Sequence, residues 1–248
     1  MWNVIKSCTI GTSHIRANIP CQDYCDFKKI KINGKEGIVI CIADGAGSAA
    51  QASLGAQLTV ARTLGQINTE YGDWSVFEKQ WVEAIIKISI EHLNAVAIEQ
   101  NLQLKDFACT FLFAIFTGDY GIFAQIGDGC WVIGDNSNLL APTWPFVGEF
   151  ANETIFVTST NYLESLQYQI INQKIDFVAG FTDGLQNLLL DFSNQKPFAG
   201  FFLPFIDTVI ASSDSYMLSG QLTDFLSSER VCSKTDDDKT LILAWRAG

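Results

Sequence analysis

Apolar side chains recur along this chain with two periods. Alternation over two residues, or a short unbroken apolar run, predicts strands over about 4–9, 24–32, 38–43, 110–117, 120–127, 130–133, 153–158, 177–182 and 240–245. Spacings of three and four predict helices over 49–67 and 76–100, the second with Trp81, Ile85, Ile88 and Leu93 turned inward. A shorter helix is expected near Leu185, and another over 215–227. Asn33-Gly34-Lys35 and Thr117-Gly118-Asp119-Tyr120 read as hairpin turns. The aromatic stretch 197–205, with Phe198, Phe201, Phe202 and Phe205, is expected to join the core. No repeat, low-complexity tract or Gly/Pro/Ser-rich linker breaks the pattern, so residues 1–248 are expected to form a single α+β domain of sheets covered by helices.

Composition narrows the chemistry. Hydrophobic residues make up 48% and charged residues only 17%, with a mean hydropathy of +0.17, which excludes a disordered acidic chain. The net charge of −11 disfavours nucleic acid and anionic membranes as partners and suits a bound cation. The opening Met1-Trp2-Asn3-Val4-Ile5-Lys6 has no basic stretch ahead of a long apolar run, so no signal peptide is expected. No apolar run approaches the about 20 residues that span a bilayer. Seven cysteines, an odd count without a C-x-x-C pair, read as small core residues in a reducing compartment, and a cytoplasmic protein is the expectation.

The informative positions are acids at strand ends. The run 38–43 leads into Asp44-Gly45, the run 123–127 into Asp128-Gly129, and the run 177–182 into Asp183-Gly184. The last strand reverses the order, since Asp236-Asp237-Asp238 precedes it. A plain hairpin turn accounts well for Asp128-Gly129, where a strand follows at once, and poorly for Asp44 and Asp183, where a helix follows. Carboxylates gathered at one edge of a core repel each other and resist dehydration unless a cation joins them. Oxygen ligands favour Mg²⁺ or Mn²⁺ over zinc, and the two histidines, His14 and His92, cannot build a three-histidine site. Gly45-Ala46-Gly47-Ser48-Ala49-Ala50 imitates a dinucleotide fingerprint, but Asp44 beside it would oppose a pyrophosphate.

In this order, Ala43-Asp44-Gly45-Ala46-Gly47-Ser48, Ala108-Cys109-Thr110, Gly127-Asp128-Gly129, Thr182-Asp183-Gly184 and Asp237-Asp238-Lys239-Thr240 resemble the type 2C, metal-dependent protein phosphatases. Gly11-Thr12-Ser13-His14, Cys21-Gln22-Asp23 and Asn152-Glu153-Thr154 resemble a compact bacterial branch of that family. The resemblance implies a four-layer α/β/β/α sandwich of two mainly antiparallel sheets flanked by helices. It implies that Asp44 bridges two Mn²⁺ or Mg²⁺ ions, with the Gly45 carbonyl on one of them and Asp183 and Asp237 completing the shell. Asp23 would be an outer acid, and Asp128 with Asp183 would hold a third, weaker ion, with Asn187 in place of a further acid.

The implied reaction is hydrolysis of phosphoserine and phosphothreonine by a water bridging the two ions, without a phospho-enzyme. Thr110 would support the metal shell. Asn18 stands where the family often has its phosphate-binding Arg, and Ala46 and Ser48 stand where many members have a general-acid His. His14 and Arg16 are the candidates for these tasks; a metal-bound water is the other proton source. The implied partner is a phosphoprotein, a kinase or its target. Two other readings stand beside this one, a catalytically weak phosphatase-like binding module and a hydrolase of small phosphorylated metabolites. The segment 139–150 falls where the family often carries a flap, and a packed loop is the simpler expectation.

Overall fold

The computed structural model describes residues 1–135, 138–146, 154–211 and 215–246. The chain begins with β1 (Trp2–Thr9), α1 (Thr12–Ala17), β2 (Asp23–Ile32), β3 (Lys35–Asp44), α2 (Ala52–Gly65), β4 (Glu70–Tyr71) and α3 (Lys79–Glu99). It continues through β5 (Phe111–Phe116), β6 (Gly121–Ile126), β7 (Cys130–Gly134), β8 (Leu139–Leu140), β9 (Gln167–Ile171) and β10 (Phe177–Phe181). The last part holds α4 (Gln186–Leu189), β11 (Leu190–Asp191), β12 (Lys196–Pro197), α5 (Ala199–Ala211), α6 (Ser215–Leu226), α7 (Glu229–Cys232) and β13 (Lys239–Arg246).

Two sheets organise these elements. One has the order β4-β2-β3-β5-β6-β9 and the other β1-β13-β10-β7-β8, while β11 and β12 form a separate two-stranded ribbon. Every pairing is antiparallel except the short β2–β4 contact. The β2–β3 hairpin turns through Asn33 and Gly34, both at positive φ (49° and 73°), the left-handed pair that a tight two-residue turn demands.

Three apolar layers explain why β3 and β5 are unbroken hydrophobic runs. Val39, Cys41 and Ala43 of β3 face α2 and α3, whereas Ile38, Ile40 and Ile42 face the inner side of the second sheet. Both faces of each strand are thus removed from water. On the far side, Phe177, Ala179 and Phe181 of β10 pack with Phe202 and Leu222. This is the expected two-sheet sandwich flanked by helices. Each fully buried Phe or Ile here contributes about 1.5–3 kcal/mol of transfer free energy.

Several expectations need correction. Asp128-Gly129 does not make a hairpin, because β6 and β7 belong to different sheets, and the chain there crosses from one sheet to the other. Gly127 takes φ +103° to start that crossing. Residues 154–158 form no strand; Val157 N donates to the Cys109 carbonyl at 2.9 Å, and the segment runs over the end of the first sheet. Glu153 lies outside the described residues. The sixth strand of that sheet is instead β9, half exposed and polar. Ile88 is 37% exposed, and α3 buries Ile85, Ile86, Ser89 and Leu93 instead. The aromatic stretch proves to be helical: α5 carries Pro204 and buries Phe202, while Phe198 is exposed. No described helix is long and apolar enough to cross a membrane.

Candidate metal centre and active site

The acids converge because both sheets end at one edge. Asp44 closes β3 of the first sheet, Asp183 follows β10 of the second, and Asp128 lies in the crossing between them. One carboxylate oxygen from each of these three lies within 4.8 Å of the others. They line a pocket of about 290 Å³ together with Gly45, His14 and Asp237.

Neighbouring side chains hold each acid in place. Asp44 N donates to Thr110 Oγ1 at 3.0 Å, and Thr110 N donates back to the Asp44 carbonyl at 2.8 Å. Thr110 therefore grips the backbone of Asp44 on both sides. Asp128 Oδ2 accepts from Thr154 Oγ1 at 2.5 Å, and the Asp128 carbonyl accepts from Gln186 Nε2. Thr182 Oγ1 donates to Asp23 Oδ2 at 2.8 Å and accepts from Thr240 N at 3.0 Å, fixing the backbone just ahead of Asp183. Asp237 is exposed at the rim, its Oδ1 accepting from Asp238 N at 2.8 Å.

Close approach, not positive φ, explains the glycines after Asp44 and Asp183. A Cβ on Gly45 would lie 2.5 Å from the Ala52 carbonyl oxygen, and one on Gly184 would lie 1.9 Å from that of Asp238. Gly184→Ala is therefore expected to force the Asp183 and Asp238 segments apart at a cost of about 1–3 kcal/mol, read as a lower thermal midpoint. An unchanged midpoint would show that this edge yields freely.

Electrostatics at the pocket run against ionisation. Burial first, then the charges of Asp23 and Asp183, hold Asp44 well above the ordinary carboxylate range. Burial, then Asp128 and Asp237, pushes Asp183 up to about 7. Asp128 and Asp23 are raised by burial as well. Asp183 Oδ1 and Asp23 Oδ1 are buried without any hydrogen-bond partner among the described residues. The orphaned Asp183 oxygen, beside the carboxylates of Asp44 and Asp128, fits a hard divalent cation, which would satisfy its valence and offset the charge that burial disfavours.

The remaining expected residues separate clearly. Asp23 is buried behind the pocket and does not line it. Arg16 is exposed, paired with Asp236 at 3.1 Å and away from the lining. Among the described residues no Lys or Arg lines the pocket, so His14 is its one side chain able to carry positive charge. Asn187 is exposed and also outside the lining.

Sequence reading missed Asp238, the central organiser of the N-terminal loop. Its Oδ1 accepts from Gly11 N at 2.6 Å, and its Oδ2 accepts from Gln22 N at 2.6 Å and contacts His14 Nδ1 at 2.9 Å. The triple Asp run was the available signal. In the expected flap, Trp144 N donates to Gln167 Oε1 at 3.0 Å and Phe146 N donates to the Gly127 carbonyl at 3.2 Å, so 142–146 is a packed loop. Residues 147–153, including Asn152 and Glu153, lie outside the described residues.

Comparison with known proteins gives this arrangement its family. A family model described as Protein phosphatase 2C matches residues 10–227. "Serine/threonine-protein phosphatase 3" of Escherichia coli (strain K12) is 36% identical over 248 residues, covering 98% of each chain. The solved serine/threonine phosphatase Stp1 from Staphylococcus aureus superposes with a TM-score of 0.69 at 14% identity, covering 100% of this chain and 96% of that one. The catalytic domain of the serine/threonine protein phosphatase PstP, solved in complex with two manganese ions, gives a TM-score of 0.65 at 13% identity, covering 100% of this chain and 99% of that one. From the strand-end acids through the two-sheet fold to a match over most of its length, the chain belongs to the protein phosphatase 2C family of serine/threonine phosphatases.

Proposed function

We propose that this protein removes phosphate from phosphoserine and phosphothreonine in other proteins, using Mn²⁺ or Mg²⁺ held by its strand-end acids. The observation that carries the reading is the convergence of Asp44, Asp128 and Asp183, with a buried, unpartnered Asp183 oxygen among them. Asp44, the Gly45 carbonyl, Asp183 and Asp237 would hold a metal pair, and Asp128 with Asp183 a further, weaker ion. When bound, such a pair supplies positive charge at the phosphoryl oxygens and brings the pKa of a water towards neutrality.

The chain's own contribution is placement and proton transfer. Thr110 and Thr182 keep Asp44 and the Asp183 backbone from moving as charge develops, so little reorganisation is needed. Asp238 occupies His14 Nδ1, which leaves Nε2 as the ring atom for the pocket. We assign His14 Nε2 to the phosphate and to the proton delivered to the departing seryl or threonyl oxygen. Asp23 serves as an acid behind the metal shell, and Arg16 has no part in phosphate binding. Residues 1–248 act as one catalytic unit. A cytoplasmic setting is supported by the free thiols of all seven cysteines.

Release of phosphate from a phosphothreonine peptide is expected with Mn²⁺, to vanish with EDTA, and to return when Mn²⁺ is added in excess. Turnover that persists in EDTA would overturn the reading. The second reading, a weakly catalytic binding module, is favoured by the lack of Lys and Arg on the pocket wall among the described residues. It predicts calorimetric Mn²⁺ binding without phosphate release.

A further inference from the structure

One pair of reactive side chains has no part in the chemistry above. Cys8 on β1 and Cys25 on β2 meet in the apolar layer between the two sheets, with their Sγ atoms 3.4 Å apart. β1 is the edge of one sheet and β2 belongs to the other, so no backbone ladder joins them. We propose that Cys8 and Cys25 are a redox-active dithiol that a peroxide converts into a disulfide fastening the two sheets together.

Geometry favours this pair over any other thiols in the molecule. The sulfurs need to close only from 3.4 Å to the about 2.05 Å of a disulfide. Cys25 is buried, whereas Cys8 is partly exposed. The hydrogen bond from Cys25 is the main reason that the Cys8 thiol is drawn down to about 7; Thr240 and the Lys6 charge assist, against the opposing effect of burial. Lys6 Nζ is anchored nearby by the Cys25 carbonyl at 3.1 Å. Cys21 is also partly exposed, but burial and the charges of Asp23 and Asp238 push its thiol up.

The chemistry balances with hydrogen peroxide as the oxidant. The Cys8 thiolate attacks one peroxide oxygen, an S–O bond forms, the O–O bond breaks, and hydroxide leaves and is protonated to water. Cys25 then attacks the Cys8 sulfur, the S–S bond forms, the S–O bond breaks and a second water departs. Two thiols lose two electrons and one peroxide gains them. A dithiol reductant reverses the change, as suits a transient bridge in a reducing compartment. The bridge closes a covalent loop around residues 9–24, the segment that carries His14, Gln22 and Asp23.

The test reads thiols and melting, so it stands apart from the phosphatase reading. The full-length protein is treated with a slight excess of hydrogen peroxide, alkylated, digested without reductant and mapped by mass spectrometry. A linked Cys8–Cys25 peptide pair is expected, two hydrogen masses lighter than its parts. The thermal midpoint should rise by about 5–10 °C and fall back with dithiothreitol. Cys25→Ser should instead accumulate a dimedone-reactive sulfenic acid at Cys8, and Cys8→Ser should yield neither product. The proposal is overturned if Cys25 stays fully alkylatable after peroxide, or if Cys8 pairs with Cys21.

Discussion

Asp183→Asn is expected to slow hydrolysis of a phosphothreonine peptide by about 10²–10³-fold, while making the metal-free protein more stable. The two effects share one cause. Burial and the neighbouring acids push Asp183 up to about 7, against an ordinary value of 3.8. Between those values the folded chain keeps a proton that the unfolded chain releases, so the favourable contribution is complete below about 3.8 and is lost as pH rises through about 7. Above that pH the folded protein carries an ionised carboxylate against its neighbours, at a cost of up to about 4 kcal/mol. Asparagine keeps the shape and removes the charge, so it relieves the cost and forfeits the ligand. Melting in EDTA at pH 5 and pH 8 checks the first half: the native protein should lose midpoint on going to pH 8, and the variant should lose less, its remaining loss coming from Asp44, Asp128 and Asp23, which burial also raises. Phosphate release in excess Mn²⁺ checks the second. Full turnover in the variant would mean that Asp183 is not part of the metal shell.

That conflict between stability and chemistry is also what made the site legible in the sequence. An apolar run gains nothing in packing by ending in a carboxylate, so Asp44 and Asp183 stood out at the ends of β3 and β10. The layering was legible for the same reason, since β3 and β5 are apolar on both faces and must lie between two covers. What depended on long-range pairing was hidden. Nothing local tells that Asp128-Gly129 leaves one sheet and enters another, because a turn and a sheet crossing use the same residues. α5 was hidden by its composition: Pro204 argues against a helix interior, yet a helix so rich in aromatics is held by packing on β10 and α6 rather than by propensity. Arg16 and His14 look equally able to meet a phosphate in sequence, and only the fold turns one out to Asp236 and the other into the pocket. The family resemblance located the acids and included Asp238 in its last motif without giving it a task, because its three contacts exist only once distant segments meet.

Two substrates that differ in their leaving group should separate what His14 does from what the metal shell does. A threonyl alkoxide needs a proton as it departs, whereas p-nitrophenolate leaves readily without one. His14→Ala is therefore expected to slow the phosphothreonine peptide by about 10²–10³-fold and p-nitrophenyl phosphate by less than about tenfold. The contact behind this is specific: Asp238 Oδ2 lies 2.9 Å from Nδ1 of a ring that lines the pocket, which holds the ring and leaves Nε2 as the atom we assign to the substrate. Asp238→Asn should show the same substrate bias in weaker form, because it loosens the ring without removing it. Asp238 also receives Gly11 N and Gln22 N, so that variant should lose about 1–3 kcal/mol of stability as well. His14→Ala breaks neither of those backbone contacts and should melt close to the native protein, which makes it the cleaner reporter. Equal slowing of both substrates by His14→Ala would assign the ring to holding phosphate alone, and the leaving oxygen would then take its proton from solvent.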